Sequence, residues 1–179
     1  LRDPAMLTDV LFPQLEVLGS GVVTGTYNSQ DMLLHLQADL SAVSYAGVDM
    51  DSLSLEVLSD ARHMRSAFRV ASIENDVIRL TDLRFSAIAE VDSITMSLQS
   101  ADGKGASQMS IAGSWTVVPD GIRFRFRPDG GVFQDTVWHV PPDNYLLFRS
   151  DGIIAHNVAL RGGAQSVSVN TPDTHLPSA

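Results

Sequence analysis

The residue types that most often perform chemistry do not stand at catalytic spacings in this sequence. Its five histidines are scattered, without HExxH or a comparable metal-ligand pattern. The carboxylates of "DMD", residues 49–51, lack the glycine and the final glutamate of a calcium loop, and "GKG" at 103–105 lacks phosphate-loop spacing. Neither a GxSxG motif nor an acid pair on one strand face is present. We therefore predict a protein that is not an enzyme and that carries no metal and no cofactor.

A row of arginines is the first candidate for ligand contact. Arg123, Arg125 and Arg127 follow one side of a strand pattern, and Arg149 and Arg161 come later in the chain. Such a row could contact anionic headgroups, although a row of charges more often forms a solvated outer face.

The two tryptophans, Trp115 and Trp138, are the second candidate. They could stack on sugars or lie at a boundary between lipid and water, because the ring is large and apolar with one polar edge. We favour a structural role in a repeating unit.

Composition narrows the class of protein. The 179 residues are 44% hydrophobic and 18% charged, which is typical of a globular chain with one domain or two small ones. The net charge of −9 argues against a nucleic-acid partner, since phosphate binding needs a basic surface. The absence of cysteine excludes disulfides and thiolate metal sites.

Alternation with a period of two residues dominates the chain after residue 20. Ile122, Phe124 and Phe126, for example, alternate with three arginines, and turn stretches such as "ADGKG" and "RPDGG" separate the runs. We predict an all-β antiparallel sheet of roughly ten to twelve strands, apolar on one face and polar on the other. The pattern Asp3-Pro4 predicts at most one short helix, from Ala5 to Leu11.

The sequence also repeats itself. "WTVVPDGI" (115–122) and "WHVPPDNY" (138–145) lie 23 residues apart, a spacing that predicts one hairpin per repeat. Each copy would place a Trp–Val strand before a turn, with Gly121 or Asn144 at the turn position that tolerates a left-handed backbone. "MDSLSLEVLS" (50–59) and "VDSITMSLQS" (91–100) form a weaker pair, 41 residues apart, which is close to two hairpins.

An apolar sheet face must be covered by a helix, by another sheet or by a ligand. The sequence offers almost no helix, so the sheet either closes as a β-sandwich or curls into a groove for alkyl chains. The residues that we expect to face such a groove are Leu53, Leu55, Val57, Ile94, Met96, Leu98, Met109, Ile111, Trp115, Ile122, Phe124 and Phe126.

Several phrases resemble the AsmA-like, TamB-type proteins of Gram-negative bacteria, closest to their Bacteroidetes branch. They are "WHVPPDNY", then Asp151-Gly-Ile-Ile154, Asn157-Val-Ala-Leu160 and Gln165-Ser-Val-Ser-Val169. The resemblance covers residues 20–170 in style and 107–170 in recognisable phrases.

This resemblance implies an elongated, repetitive sheet curved like a taco, whose hydrophobic concave face carries phospholipid or fatty acyl chains across the periplasm. It implies a parent protein anchored in the inner membrane and working with an outer-membrane barrel protein of the Omp85 type. The chain would then be an internal segment of a lipid-transfer and outer-membrane assembly protein.

Three regions follow from these patterns: an N-terminal segment over 1–19, a β-repeat domain over 20–170 and a tail over 171–179. An excised segment would leave open sheet edges, at which two copies could dimerise. Two alternatives remain open: a closed sandwich that binds surface glycan or protein partners through exposed tryptophans, and a purely structural spacer.

Overall fold

The chain folds as an all-β protein in the computed structural model, which describes residues 15–74, 79–128, 131–133 and 136–172. The predicted helix over Ala5–Leu11 lies outside these residues. The described residues contain no helix and fifteen strands, more than expected because three of them have only three residues. The strands are β1 (Leu15–Val17), β2 (Gly21–Asn28), β3 (Leu33–Tyr45), β4 (Val48–Ser59), β5 (Met64–Glu74), β6 (Arg79–Ala89), β7 (Ser93–Ala101), β8 (Ser107–Val118), β9 (Gly121–Phe126), β10 (Gly131–Phe133), β11 (Thr136–Trp138), β12 (Tyr145–Arg149), β13 (Gly152–His156), β14 (Val158–Gly162) and β15 (Gln165–Val169).

Thirteen strands form one long antiparallel sheet that is open and not closed on itself. From β3 to β9 each strand pairs with the next strand of the sequence, while β1 and β2 both pair with the outer side of β3. The predicted all-β, open antiparallel architecture is therefore confirmed, and the main sheet does not form the alternative closed sandwich. Strand pairing begins at Leu15, before the predicted domain boundary.

Cross-strand register aligns the apolar side chains in rows that run across the sheet. One row, from β3 to β8, consists of Ala38, Leu55, Phe68, Phe85, Leu98 and Ile111. A neighbouring row consists of Leu36, Val57, Ser66, Ala87, Met96, Gly113 and Phe126. We call the side that carries these rows the apolar face. The opposite, polar face carries rows such as Gln37, Glu56, Ala67, Ser86 and Ser97.

The alternation changes at one line across the N-terminal strands. Ser52 and Asp82, in the middle of β4 and β6, have positive φ angles of 52° and 47°. Across this line, two neighbouring rows of apolar residues are three residues apart along each strand and not two. One row is Leu40, Leu53, Val70 and Leu83, and the other is Val43, Met50, Ile73 and Leu80. A left-handed residue within a strand is the local feature that interrupts a strict two-residue period.

The sheet divides at β8. Residues 113–118 pair with β9, which continues to β12 and β13, while Ser110 and Met109 pair with β10, which continues to β11. A bridge between His139 and Arg161 joins the second branch to the separate β14–β15 pair. We call strands β8 to β15, with the described residues up to 172, the C-terminal unit, and strands β1 to β7, in which β2 to β7 pair in sequence order, the N-terminal meander.

The end of the C-terminal unit returns to the first branch. The Thr171 N–H donates a hydrogen bond to the Ala155 carbonyl at 2.8 Å, and the Ala155 N–H donates to Thr171 Oγ1 at 2.8 Å. The segment after β15 therefore pairs with β13, beyond the predicted domain end at residue 170.

Neither sequence repeat is a structural repeat. The first Trp phrase forms the β8–β9 hairpin, but the second connects β11 to β12, which pairs with β9 and β13. The 41-residue pair falls on β4 and β7, which are three strands apart and run in opposite directions. The prediction of one hairpin per 23 residues was wrong, because a strand's sequence does not specify which strand it pairs with.

Candidate functional site

The apolar face is the candidate site, and its rows contain all twelve residues predicted to line a groove. Register places Leu53, Leu55 and Val57 on the same side of the sheet as the predicted residues of β7, β8 and β9. The face is only partly shielded from solvent: Ile94, Ile111 and Ile122 are 41%, 39% and 47% exposed, whereas Phe124 is 8% exposed.

An aromatic cluster on β8, β9 and β12 forms one part of this face. The Phe124 ring lies 4.7 Å from the Trp115 ring and 4.8 Å from the Phe126 ring, while Phe148 lies 5.3 Å from Trp115. The cluster depends on Gly113, because a Cβ at that position would stand 2.5 Å from the edge of the Phe124 ring. Tilted and edge-on ring pairs of this kind stabilise a fold beyond simple area burial.

The rows of the apolar face contain few polar side chains. From β3 to β8, across the four rows that begin at Leu34, Leu36, Ala38 and Leu40, the polar side chains are serines and none is charged. The Trp115 indole N–H points along the face to the Met96 sulfur at 3.3 Å. Such a surface offers non-directional contact to an apolar partner and little hydrogen bonding to a polar one.

A cleft of about 570 Å³ extends the apolar face into the C-terminal unit. It opens between the β8–β10–β11 branch and the β14–β15 pair. Its lining is mainly apolar: Ile111, Val132, Phe133, Trp138, Leu160 and Val167, with Ser110, Gly131, Thr136 and Gln165. The volume lies within the ~300–1,000 Å³ range that is usual for small-molecule sites.

Of these lining residues, only Ile111 was among the predicted groove residues. The alternation of Leu160 and Val167 is visible in the sequence, but it does not reveal that their hairpin lies across the cleft from Ile111. The site therefore extends further towards the C-terminus than the sequence predicted.

The polar face carries two open depressions of about 600 and 780 Å³. Their lining includes Asp39, Glu56, Arg69 and Arg84 in the first depression and His35, His63 and Arg65 in the second. Such side chains are ordinary on the solvated face of an antiparallel sheet. We therefore place the candidate site on the apolar face.

The best-defined charge cluster of the polar face surrounds Asp82. Arg84 donates to its carboxylate at 2.7 Å and Arg69 does so at 2.7 Å. These hydrogen bonds, with that from Arg84 the stronger cause, lower the pKa of Asp82 below its ordinary value of 3.8. The pKa of the Arg84 guanidinium is raised by the same contact.

A second lowered pKa belongs to a turn. The Asp60 carboxylate accepts backbone N–H groups of Arg62 and His63 at 2.7 and 2.8 Å, and these bonds lower its pKa. The Asp60 carboxylate therefore holds the backbone of its turn, whereas that of Asp82 binds arginine side chains, and neither lies on the apolar face.

Arg123 and Arg125 of the arginine row lie on the side opposite the apolar face. Arg123 and Arg125 pair across strands with Thr116 and Ser114, on the polar face. The Arg123 guanidinium lies 5.0 Å from the centre of the Tyr145 ring, which stacks on His156 at 4.8 Å. This stack holds β9, β12 and β13 together on the side away from the cleft.

Both tryptophans lie on the apolar face and are half-buried. Trp115 belongs to the aromatic cluster, and Trp138 lies against Gly162, where a Cβ would stand 2.7 Å from the indole. The solvent-exposed tryptophans that the glycan-binding alternative requires are therefore not observed.

Sequence reasoning missed the role of Asn144, which it placed at a left-handed turn position. Asn144 is completely buried, and its φ is not positive. Its side-chain oxygen accepts the Phe126 N–H at 2.8 Å, and its amide donates to the carbonyls of Phe126 and Pro141 at 3.0 and 2.6 Å. It ties the turn before β12 to the end of β9, a role that no short-range pattern signals.

Fold and site together define a class: an open antiparallel sheet with one continuous, partly exposed apolar face that ends in an apolar cleft. Comparison of the chain with protein families, with curated proteins and with solved structures finds no match. Within the described residues, no cluster of three or more His, Asp or Glu side chains could hold a metal ion. No helix in that part of the chain is long and apolar enough to cross a membrane.

Proposed function

We propose that this chain binds the acyl chains of lipids along its apolar face, as a segment of a periplasmic lipid-transfer and envelope-assembly protein. The observation that carries the proposal is the continuous apolar face, which is uncharged from β3 to β8 and leads into the cleft beside Trp138. The resemblance to TamB-type proteins supports the periplasmic location, the inner-membrane anchor of a parent protein and an Omp85-type partner barrel.

The energetics of such a face suit an alkyl ligand. Each CH₂ group that leaves water for an apolar surface contributes about 0.8 kcal/mol. This stabilisation is non-directional, so one surface can hold chains of different length. The absence of charged groups from the four rows between β3 and β8 means that a chain lying there meets no desolvation cost from buried charge.

Two pairs of exposed residues make a matched test. Ile94 and Ile111 lie on the apolar face and are 41% and 39% exposed, while Leu58 and Ile88 lie on the polar face and are 41% and 44% exposed. The double variant Ile94→Asn/Ile111→Asn removes apolar contact from the proposed site. The double variant Leu58→Asn/Ile88→Asn makes a similar chemical change on the opposite face.

We expect the apolar-face variant to bind a fluorescent fatty acid about tenfold more weakly, because about 1.4 kcal/mol of apolar contact is lost. The polar-face variant should retain the affinity of the natural chain. Titration of the purified chains measures both affinities, and circular dichroism checks that each variant keeps its strands. Equal affinity in the two variants, or no binding by the natural chain, would reject acyl binding at this face.

A further inference from the structure

The outer edge of β2 presents a row of backbone hydrogen-bonding groups. The Ser41 N–H donates to the Ser20 carbonyl at 2.9 Å, which makes Ser20 and Ser41 a hydrogen-bonded pair. Hydrogen-bonded and non-hydrogen-bonded pairs alternate along antiparallel strands. The residue after Ser20, and every second residue from there on, therefore directs its N–H and C=O away from β3. These outward residues are Gly21, Val23, Gly25 and Tyr27.

This edge lacks the features that normally prevent pairing. The eight residues of β2, "GVVTGTYN", contain no charged residue and no proline, and all but Val23 are exposed. Lysine, proline and other charges are the usual protection of an edge strand. Among the described residues, no strand pairs with the outer side of β2. By contrast, Thr171 and Asn170 occupy the outer side of β13 near Ala155 and Asn157.

The sequence of β2 is complementary to itself when it runs antiparallel about Thr24. In that register Gly21 lies opposite Tyr27 of the other strand, and Val23 lies opposite Gly25. Tyr27 of the other strand thus covers Gly21, the kind of aromatic contact that stabilises a glycine in an edge strand. Thr24 lies opposite Thr24, and Val22 opposite Thr26, which are favourable pairs of β-branched residues.

We propose that β2 is a homodimerisation edge, at which two copies of this chain pair antiparallel about Thr24. All four outward residues of each copy join the ladder in this register, and no charged residue of one β2 faces the other. Val23 and Tyr27 lie on the same face as Ala38 and Leu34, so the joined sheet continues the apolar face from one copy into the other. The proposal does not depend on lipid binding.

The chain contains no cysteine, so single cysteines report the register directly. In the proposed dimer Thr24 and its counterpart form a non-hydrogen-bonded pair, with Cα atoms about 4.5 Å apart. That distance lies within the range of a disulfide, ~4.4–6.8 Å. Thr26 is an exposed threonine on the same face, but its Cα lies about 14 Å along the strands from its counterpart. Thr26→Cys is therefore the matched control for Thr24→Cys.

Mild oxidation should link the Thr24→Cys chain into a disulfide dimer and leave the Thr26→Cys chain unlinked. Sedimentation equilibrium of the natural chain should show a mass that rises with concentration from 19.3 kDa towards twice that value. Val23→Pro should remove the dimer and the Thr24→Cys cross-link, since it deletes an outward N–H and leaves the pairing with β3 intact.

A natural chain that stays monomeric at every concentration overturns the proposal. This is also the result expected if β2 pairs with a strand of a different protein. A Thr26→Cys cross-link as strong as that of Thr24→Cys overturns the register. A dimer that survives Val23→Pro shows that the contact lies elsewhere.

Discussion

The N-terminal meander and the C-terminal unit have similar strand sequences but bury their apolar residues differently. In the meander the buried apolar residues are Ala38, Leu40, Val43, Val70 and Leu83. In the shorter C-terminal unit they are Phe124, Val140, Leu147, Ile154, Ala155, Val158 and Ala159. In the meander the strands form a single sheet, whereas in the C-terminal unit the sheet divides at β8 and its buried side chains lie on both faces, Phe124 on one and Leu147 and Ile154 on the other.

This difference shows that apolar alternation alone does not create a core. A sheet face becomes a core only when another layer covers it. In the meander this face is fully buried at Val43 and Val70 but stays partly open at Ile94, which is 41% exposed. In the C-terminal unit Gly162 of β14 packs against Trp138 and the rings of Trp115, Phe124 and Phe126 pack together, so we expect this unit to carry most of the stability.

The largest expected effect on stability comes from replacing two phenylalanines of the apolar face, one in each region. Phe124 contacts Trp115 at 4.7 Å in the C-terminal unit, and Phe68 stacks on Phe85 at 5.1 Å in the meander. We expect Phe124→Ala to lower the free energy of unfolding by about 3–5 kcal/mol, as for a buried ring. Phe68→Ala should cost about half as much, because its ring is only half-buried. Urea unfolding measures both, and equal losses would contradict the difference between the two regions.

A smaller effect is expected at the buried amide of Asn144. Asn144→Ala leaves the Phe126 N–H and carbonyl without their partner, and each such buried group costs about 1–3 kcal/mol. Asn28→Ala is the control, because Asn28 makes its hydrogen bonds to Asp31 and Gln30 in an exposed turn of the meander. The control should cost less than about 1 kcal/mol. If the Asn28 variant is the less stable of the two, Asn144 does not hold β9 to β12 as described.

The smallest effect concerns Asp82 on the polar face of the meander. Its lowered pKa means that ionised Asp82 stabilises the folded chain above its ordinary pKa of 3.8. That contribution is lost as the pH falls through the lowered folded-state value. Asp82→Asn should therefore be slightly less stable than the natural chain near neutral pH and equally stable in acid. Thermal unfolding of both chains from neutral pH to acid measures the difference in stability between them. A difference that stays constant or grows in acid would show that the two arginines do not hold Asp82 as an ion.

The sequence contains enough information for the strands and their faces, but not for strand partners. Alternation in "IRFRF" predicted correctly that Phe124 and Arg123 point to opposite faces, because side-chain direction is a local property of a strand. The pairing of β12 with β9 and not with β11 depends on contacts between distant residues. The same limit explains Asn144, whose side-chain partner Phe126 lies 18 residues earlier in the chain.

The cleft and the eight-residue pairing of β2 with β3 also depend on contacts between distant residues. Leu160, Val167 and Ile111 come together because the His139–Arg161 bridge joins the second branch of the sheet to the β14–β15 pair. A pattern of alternating residues could identify each of these side chains as apolar, but it could not bring them to one site.

Contact between an acyl chain and the apolar face can be measured most directly with the two tryptophans, since both lie on that face. Bromine atoms in the middle of a fatty acid quench an indole that they touch. We predict that a brominated fatty acid quenches Trp115 in the Trp138→Phe chain, and Trp138 in the Trp115→Phe chain, more strongly than the same fatty acid without bromine. Equal fluorescence with the brominated and unbrominated chains in both variants would contradict acyl binding at the apolar face.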